Sequence, residues 1–153
     1  MNRKHSITDV KTIKPAELYP WVRNNNSPHG KFVVVDVRDA DYAGGHIRNS
    51  WNHTIVKFHL KNASELHERL YCERVKAVVF HCSLSQSRGP RAALLFLRSL
   101  DHIKDKQLKD YFENDVHIYL LIGGFAKWQE LYGNDPDVTE DYDPEIWRQT
   151  MSI

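Results

Sequence analysis

The chain has 153 residues, of which 41% are hydrophobic and 27% are charged, and its formal net charge is +1 at pH 7. This composition is typical of a soluble globular domain, and the balanced charge argues against binding to nucleic acid or to a membrane. The two cysteines exclude a disulfide framework, and the opening residues lack the apolar core of a secretory signal. We therefore expect a single domain over residues 1–153, in a monomeric cytoplasmic or nuclear protein.

The first half of the chain alternates short apolar runs with amphipathic segments. The predicted elements are an edge strand at 10–13, a helix at 14–22, a buried strand at 32–37, an extended segment at 51–55 and a helix at 62–74. Residues 24–30 have the polar, Pro- and Gly-containing composition of an exposed loop. In the second helix, Ala63, Leu66 and Leu70 share one face, so Cys72 is predicted to lie on the exposed side.

The second half continues the alternation. The predicted elements are a strand at 77–80, a helix beginning at Gly89-Pro90, a charged helix at 104–113, a strand at 116–122 and a short helix at 125–132. We expect the last helix to bury Phe125, Trp128 and Leu131. The pattern predicts an α/β domain with a central, mainly parallel sheet flanked by helices. Its core would span about residues 8–132, with the acidic segment 133–153 wrapped over the surface and anchored by Trp147.

The stretch HCSLSQSRGP, at positions 81–90, lies between an apolar strand and an apolar helix. Cys82 opens the predicted loop and Arg88 closes it. Loop amides and a helix N-terminus create a positive concavity that favours an anion, and an arginine fork can hold two of its oxygens. The same field stabilises a thiolate, which would face the central atom of the bound anion. The alternative is a structural cysteine beside an ordinary surface arginine.

We therefore predict Cys82 and Arg88 as catalytic residues on an anion-binding loop. The loop residues are Ser83, Leu84, Ser85, Gln86, Ser87 and Arg88. Asp36, at the end of a buried strand, and His81 are predicted supporting residues. Asp36 could fix the loop or Arg88, but we favour a structural pairing with Arg38 that pins the following turn. The nine histidines, His46 among them, lack the spacing of metal ligands, so no metal site is predicted.

Three blocks of the chain resemble the rhodanese-fold dual-specificity phosphatases, the family of the M-phase inducers. HCSLSQSRGP is similar to their catalytic loop, VVDVRDADYAGGHI at 34–47 to their upstream signature, and GGFAKW at 123–128 to their closing motif. The blocks occur in family order and span most of the chain. As a whole, the chain resembles the small fungal members of this group and the related fungal arsenate reductases.

The resemblance implies hydrolysis of a phosphoprotein monoester through a phosphocysteine at Cys82, without a cofactor. The first alternative is an arsenate reductase that uses the same cysteine and arginine with glutathione and glutaredoxin. The second is a non-catalytic rhodanese-like module that binds partners. The family pattern also implies a distinction from sulfur transfer, because authentic rhodaneses close the loop one residue sooner.

The chain departs from the M-phase inducers at two places. Their loop carries acidic residues, whereas the five residues after Cys82 here are uncharged, so no general acid can be carried over. Asp39 or Asp41 could supply the proton, or a monoanionic substrate could bring its own. Val37 stands where the family has a cysteine that can protect the nucleophile in a disulfide. Cys72 is best explained as a surface thiol, with a resolving cysteine as the alternative.

Overall fold

Five parallel strands form the central sheet of the protein, whose computed structural model describes residues 10–54 and 63–151. The strands are β1 (Lys11–Ile13), β2 (Phe32–Asp36), β4 (Trp51–Asn52), β5 (Ala77–His81) and β6 (His117–Leu121), in the order β1-β6-β5-β2-β4. The predicted α/β class is confirmed, with β1 at one edge. Residue 55 of the predicted extended segment and residue 62 of the predicted second helix lie outside the described part, as do residues 1–9 and 152–153 of the predicted domain.

Six α-helices accompany the sheet in the described part of the chain. They are α1 (Pro15–Asn24), α2 (Ala63–Cys72), α3 (Arg88–Ser99), α4 (Lys106–Asp115), α5 (Gly124–Tyr132) and α6 (Pro144–Met151). Helix α3 begins at Arg88, before the predicted start, so the arginine belongs to its first turn. None of the helices within 10–54 and 63–151 is long and apolar enough to cross a membrane.

Alternate residues of the strands supply two hydrophobic clusters, one on each face of the sheet. Val35, Val78 and Phe80 pack with α2, α3 and α4, whereas Val34 and Val79 pack with α1 and α5. Strand β5 is buried along its whole length, because helices cover both of its faces. This arrangement brings the ends of the central strands, and the loop that follows β5, to one edge of the sheet.

The C-terminal segment contains more regular structure than a surface wrap. Strand β7 (Thr139–Glu140) pairs in antiparallel fashion with β3 (His46–Ile47), and helix α6 follows. Trp147 is 8% exposed, packs against Phe125 and donates its indole N–H to the carbonyl of Gly44 at 3.0 Å. Trp147 thus occupies the anchoring position that the sequence predicts, and the C-terminal segment contains a strand and a helix.

Leu131 was expected inside the core, and this prediction is wrong. The side chain is 53% exposed, whereas Phe125 and Trp128 are fully buried. At the helical rotation of about 100° per residue, Leu131 lies about 120° away from Phe125. Gln129 occupies the inward position instead, where its Oε1 accepts a hydrogen bond from the Tyr142 hydroxyl at 2.5 Å.

His67 is a buried histidine of α2 that makes folding sensitive to acid. Its ring is 5% exposed, packs against Phe96 and Phe112, and is hydrogen-bonded through Nε2 to Ser99 Oγ at 2.8 Å. Burial lowers its pKa from an ordinary 6.5 to about 4. The unfolded chain therefore takes up a proton at this residue below about pH 6.5, whereas the folded protein resists until about pH 4.

We expect His67 to reduce the free energy of unfolding by about 2 kcal/mol between pH 7 and pH 5. His67→Gln should remove this part of the pH dependence, while the matched change His102→Gln at an exposed histidine should leave it in place. Urea unfolding of the three proteins at both pH values measures the difference. An equal pH dependence in wild type and His67→Gln would contradict the assignment.

Candidate active site

The loop between β5 and α3 rests on the first turn of α5. The amide of Phe125 donates to the Cys82 carbonyl at 3.0 Å, and the amide of Ala126 donates to the Ser83 carbonyl at 2.8 Å. Gly124 has a φ of 58°, and a Cβ there would collide with both carbonyl oxygens. The Gly-Gly-Phe sequence thus allows one backbone to lie directly against the other, which fixes the start of the loop.

Cys82 lies at the bottom of the loop with its sulfur surrounded by donors. The side chain is 3% exposed, and Sγ accepts hydrogen bonds from the amides of Ser85 at 3.1 Å and Gly89 at 3.3 Å. Ser85 has a φ of 54°, a left-handed conformation that turns its N–H inward. Gly89, in the first turn of α3, would bring a Cβ to 3.5 Å from the sulfur. The two amides and the N-terminus of α3 thus surround the sulfur with hydrogen-bond donors.

The other loop side chains point to different environments. Leu84 is 54% exposed, and Gln86 and Ser87 are also exposed. Ser85 is buried, and its hydroxyl has no hydrogen-bond partner within the described residues. The loop therefore carries one buried polar side chain that is available to a bound group.

Arg88 forms a two-point ion pair with Asp41. Nη1 donates to Oδ1 at 2.8 Å and Nη2 donates to Oδ2 at 2.5 Å, while the Ser83 hydroxyl donates to Oδ2 at 2.6 Å. The hydrogen bonds from Arg88 are the main cause that holds the pKa of Asp41 far below its usual range, and they raise that of Arg88. Of the two acids considered from the sequence, Asp41 is thus the one in contact with the loop, and it is ionised there.

Asp36 pairs with Arg38 beneath the site. Both side chains are fully buried, with Nε of Arg38 2.9 Å from Oδ1 and Nη2 2.6 Å from Oδ2. Arg38 also donates to the carbonyls of Gly45 at 2.9 Å and Asp41 at 3.3 Å. Burial opposes ionisation of Asp36, but the hydrogen bonds and positive charge of Arg38 outweigh it and hold the pKa of the carboxyl below its ordinary value. Asp36 therefore pins the turn that carries Asp41, as the structural interpretation expects, and does not contact Arg88.

His81 supports the loop from the end of β5. Its Nδ1 lies 3.0 Å from the Cys82 carbonyl, which can only accept, so this nitrogen carries the proton. Burial lowers the pKa of the imidazole, which is consequently neutral, with Nε2 facing Asp36 Oδ2 at 3.7 Å. His81 thus orients the peptide that follows the nucleophile candidate.

Comparison with known proteins identifies the family of the chain. The profile of the rhodanese-like domain matches residues 17–131. The chain belongs to the rhodanese-like family. It is 39% identical to the CDC25-like phosphatase YCH1 of Saccharomyces cerevisiae, over 94% of this chain and 98% of that protein.

Two solved structures of similar proteins share the fold. The crystal structure of Ygr203w of Saccharomyces cerevisiae, a homologue of single-domain rhodanese and of the Cdc25 catalytic domain, superposes with a TM-score of 0.82 at 38% identity, covering 97% of both chains. An As–Sb reductase of Leishmania major superposes with a TM-score of 0.68 at 26% identity, covering 94% of this chain and 99% of that one.

Two features of this rhodanese-like site are not evident from the sequence motifs. The contact of Asp41 with both Ser83 and Arg88 joins segments that are 42 and 47 positions apart, and the motif shows only that an acid is present. The docking of α5 under the loop is signalled only by the paired glycines before Phe125. Val37 is fully buried in the core, and Cys72 is exposed at the end of α2, as predicted.

No group of three or more potential metal ligands occurs in the parts of this rhodanese-like domain that the structure describes. Among the described residues, Asp41 brings a negative charge against the loop through its ion pair with Arg88. The arrangement can hold a tetrahedral oxyanion over a buried sulfur.

Proposed function

We propose that the protein is a cysteine-dependent protein phosphatase that hydrolyses phosphotyrosine and phosphoserine or phosphothreonine monoesters. The observation that carries this proposal is the buried sulfur of Cys82, which receives two backbone N–H groups at the start of α3 in a loop closed by Arg88. The similarity to a CDC25-like phosphatase over nearly the whole chain supports the same reaction class.

The first step transfers the phosphoryl group to sulfur. The Cys82 thiolate attacks phosphorus, an S–P bond forms, and the ester P–O bond breaks, so that the leaving oxygen departs as an alcohol after it gains a proton. The amides of the loop and the Arg88 fork stabilise the charge on the non-bridging oxygens. With Asp41 ionised by Arg88, a monoanionic ester is the simplest source of that proton.

The second step restores the enzyme. Water attacks phosphorus, the S–P bond breaks, and inorganic phosphate leaves while Cys82 returns to the thiolate. We expect the Ser85 hydroxyl, which is buried without a hydrogen-bond partner among the described residues, to bind an oxygen of the transferred group. No step requires an oxidant or a reductant.

A second candidate is reduction of arsenate, which the similarity to the Leishmania As–Sb reductase favours. Arsenate is also a tetrahedral oxyanion, so the loop and Arg88 would hold it in the same way. The reaction differs in requiring thiol reductants, which are glutathione and glutaredoxin in this alternative.

The test compares three substrates side by side on the wild type and Cys82→Ser. We expect the wild type to hydrolyse a phosphotyrosine peptide and p-nitrophenyl phosphate, and Cys82→Ser to be inactive. Arsenate with glutathione and glutaredoxin tests the second candidate, and thiosulfate with cyanide tests sulfur transfer. Turnover of thiosulfate, with phosphate ester hydrolysis no higher than in Cys82→Ser, would contradict the proposal. If the protein shows none of these activities, the remaining function is that of a non-catalytic binding module.

A further inference from the structure

Asp41 connects the two ends of the anion loop. Its Oδ2 accepts hydrogen bonds from the Ser83 hydroxyl, one residue after the nucleophile candidate, and from Nη2 of Arg88 at the other end. Its Oδ1 accepts from Nη1 of Arg88 at 2.8 Å and from the amide of Asp39 at 3.1 Å. One carboxylate therefore fixes the orientation of the Arg88 guanidinium relative to the start of the loop.

Asp41 is itself fixed from the core. Its carbonyl accepts a hydrogen bond from Nη1 of Arg38 at 3.3 Å, and the fully buried Arg38 is held in turn by the Asp36 carboxylate and by the carbonyl of Gly45. A surface carboxylate with such an anchor has little freedom to leave the loop. The buried pair of Asp36 and Arg38 thus restricts the turn at 38–42. Because Asp41 lies in this turn, the pair also limits the movement of the Arg88 side chain.

The pairing leaves Arg88 able to bind an anion. The hydrogen bonds between the described residues and Arg88 run from Nη1 and Nη2 to Asp41, so they occupy one edge of the guanidinium. The edge formed by Nε and Nη2 can still present two parallel N–H groups to an oxyanion. Asp41 and a phosphate can therefore bind Arg88 together, one on each edge.

From these contacts we infer that Asp41 is a positioning residue for Arg88: it holds the guanidinium plane in the orientation that binds the transferred phosphoryl group. This role rests on the proposed phosphatase function for its kinetic consequences, but the anion binding that it predicts does not. Two other roles of Asp41 are distinct from this one. A general acid would have to be protonated before the reaction. A carboxylate that competes with the substrate for Arg88 would have to leave Arg88 before the substrate binds.

The experiment uses Asp41→Asn, which keeps the shape and removes the charge, with Asp110→Asn, an exposed residue of α4, as the matched control. We expect Asp41→Asn to lower kcat/KM by about tenfold or more, because misplacement of a catalytic group by a fraction of an ångström is costly. The loss should be the same on p-nitrophenyl phosphate and on phenyl phosphate. The dissociation constant for tungstate, measured by calorimetry, should rise by a similar factor, and Ser83→Ala should show a smaller loss of the same kind.

Three other outcomes would overturn the inference. A loss confined to phenyl phosphate, whose leaving group is the stronger base, identifies Asp41 as the general acid. Tighter tungstate binding in Asp41→Asn identifies it as a competitor, and unchanged kinetics and binding remove it from the site. An unchanged midpoint of urea unfolding shows that the variant is folded. If the wild type hydrolyses no phosphate ester, the proposed function fails, while the tungstate measurement still decides the role of Asp41.

Discussion

Replacing Arg88 with lysine is expected to reduce kcat/KM for a phosphate ester by about a hundredfold or more. Lysine keeps a positive charge but presents a single ammonium in place of the planar fork. It would lose the two-point contact with Asp41 as well as the edge that faces the transferred group. Steady-state kinetics on p-nitrophenyl phosphate measure the effect.

The control for this change is Arg91→Lys, at an exposed arginine one turn further along α3. It alters the same residue type on the same helix and should leave the kinetics of the wild type unchanged. Near-normal turnover in Arg88→Lys would mean that Arg88 does not contact the transferred phosphoryl group.

Breaking the buried ion pair should have the largest effect on stability. Arg38→Met removes the guanidinium and leaves the Asp36 carboxylate fully buried without its charged partner. Such an uncompensated charge typically costs about 3–5 kcal/mol. The free energy of unfolding, from urea titration at pH 7, should fall by this amount. The loop at 38–45, whose carbonyls Arg38 also binds, should become more open to proteolysis.

Two further variants separate charge from size in that experiment. Asp36→Asn combined with Arg38→Met removes both charges and should recover part of the lost stability, since no buried carboxylate remains. Arg148→Met removes an exposed arginine paired with Glu145, and it should cost at most about 1 kcal/mol. A loss in Arg38→Met no greater than in Arg148→Met would show that the buried pair contributes nothing to stability.

The sequence predicts the central sheet well because its buried strands are recognisable from their own runs of apolar residues. The run Ala77 to Phe80 is apolar on both faces, and it belongs to β5, the fully buried middle strand of the five. The prediction for Leu131 is wrong because its hydrophobicity suggests burial, whereas its position six residues after Phe125 places it on the side of the helix, away from the core. Helix α6 is short, and Trp147 is its one large aromatic residue, so periodicity alone does not reveal it.

The loop between Cys82 and Arg88 is similarly predictable, because five intervening residues and the start of a helix fix the two residues relative to each other. The role of Asp41 depends on a contact between residues 47 positions apart, and only the tertiary structure sets which acid reaches Arg88. The left-handed conformation of Ser85 is equally hidden, because serine shows no preference for it.

The most direct measurement of the central claim is identification of the covalent intermediate. The wild type is mixed with p-nitrophenyl phosphate, the reaction is stopped within the first turnover by acid, and the digested protein is analysed by mass spectrometry. The proposed chemistry predicts one phosphoryl group on the peptide that contains Cys82, absent from Cys82→Ser and from the peptide that contains Cys72. Continued hydrolysis by Cys82→Ser, with no phosphoryl group on Cys82 in the wild type, would contradict it.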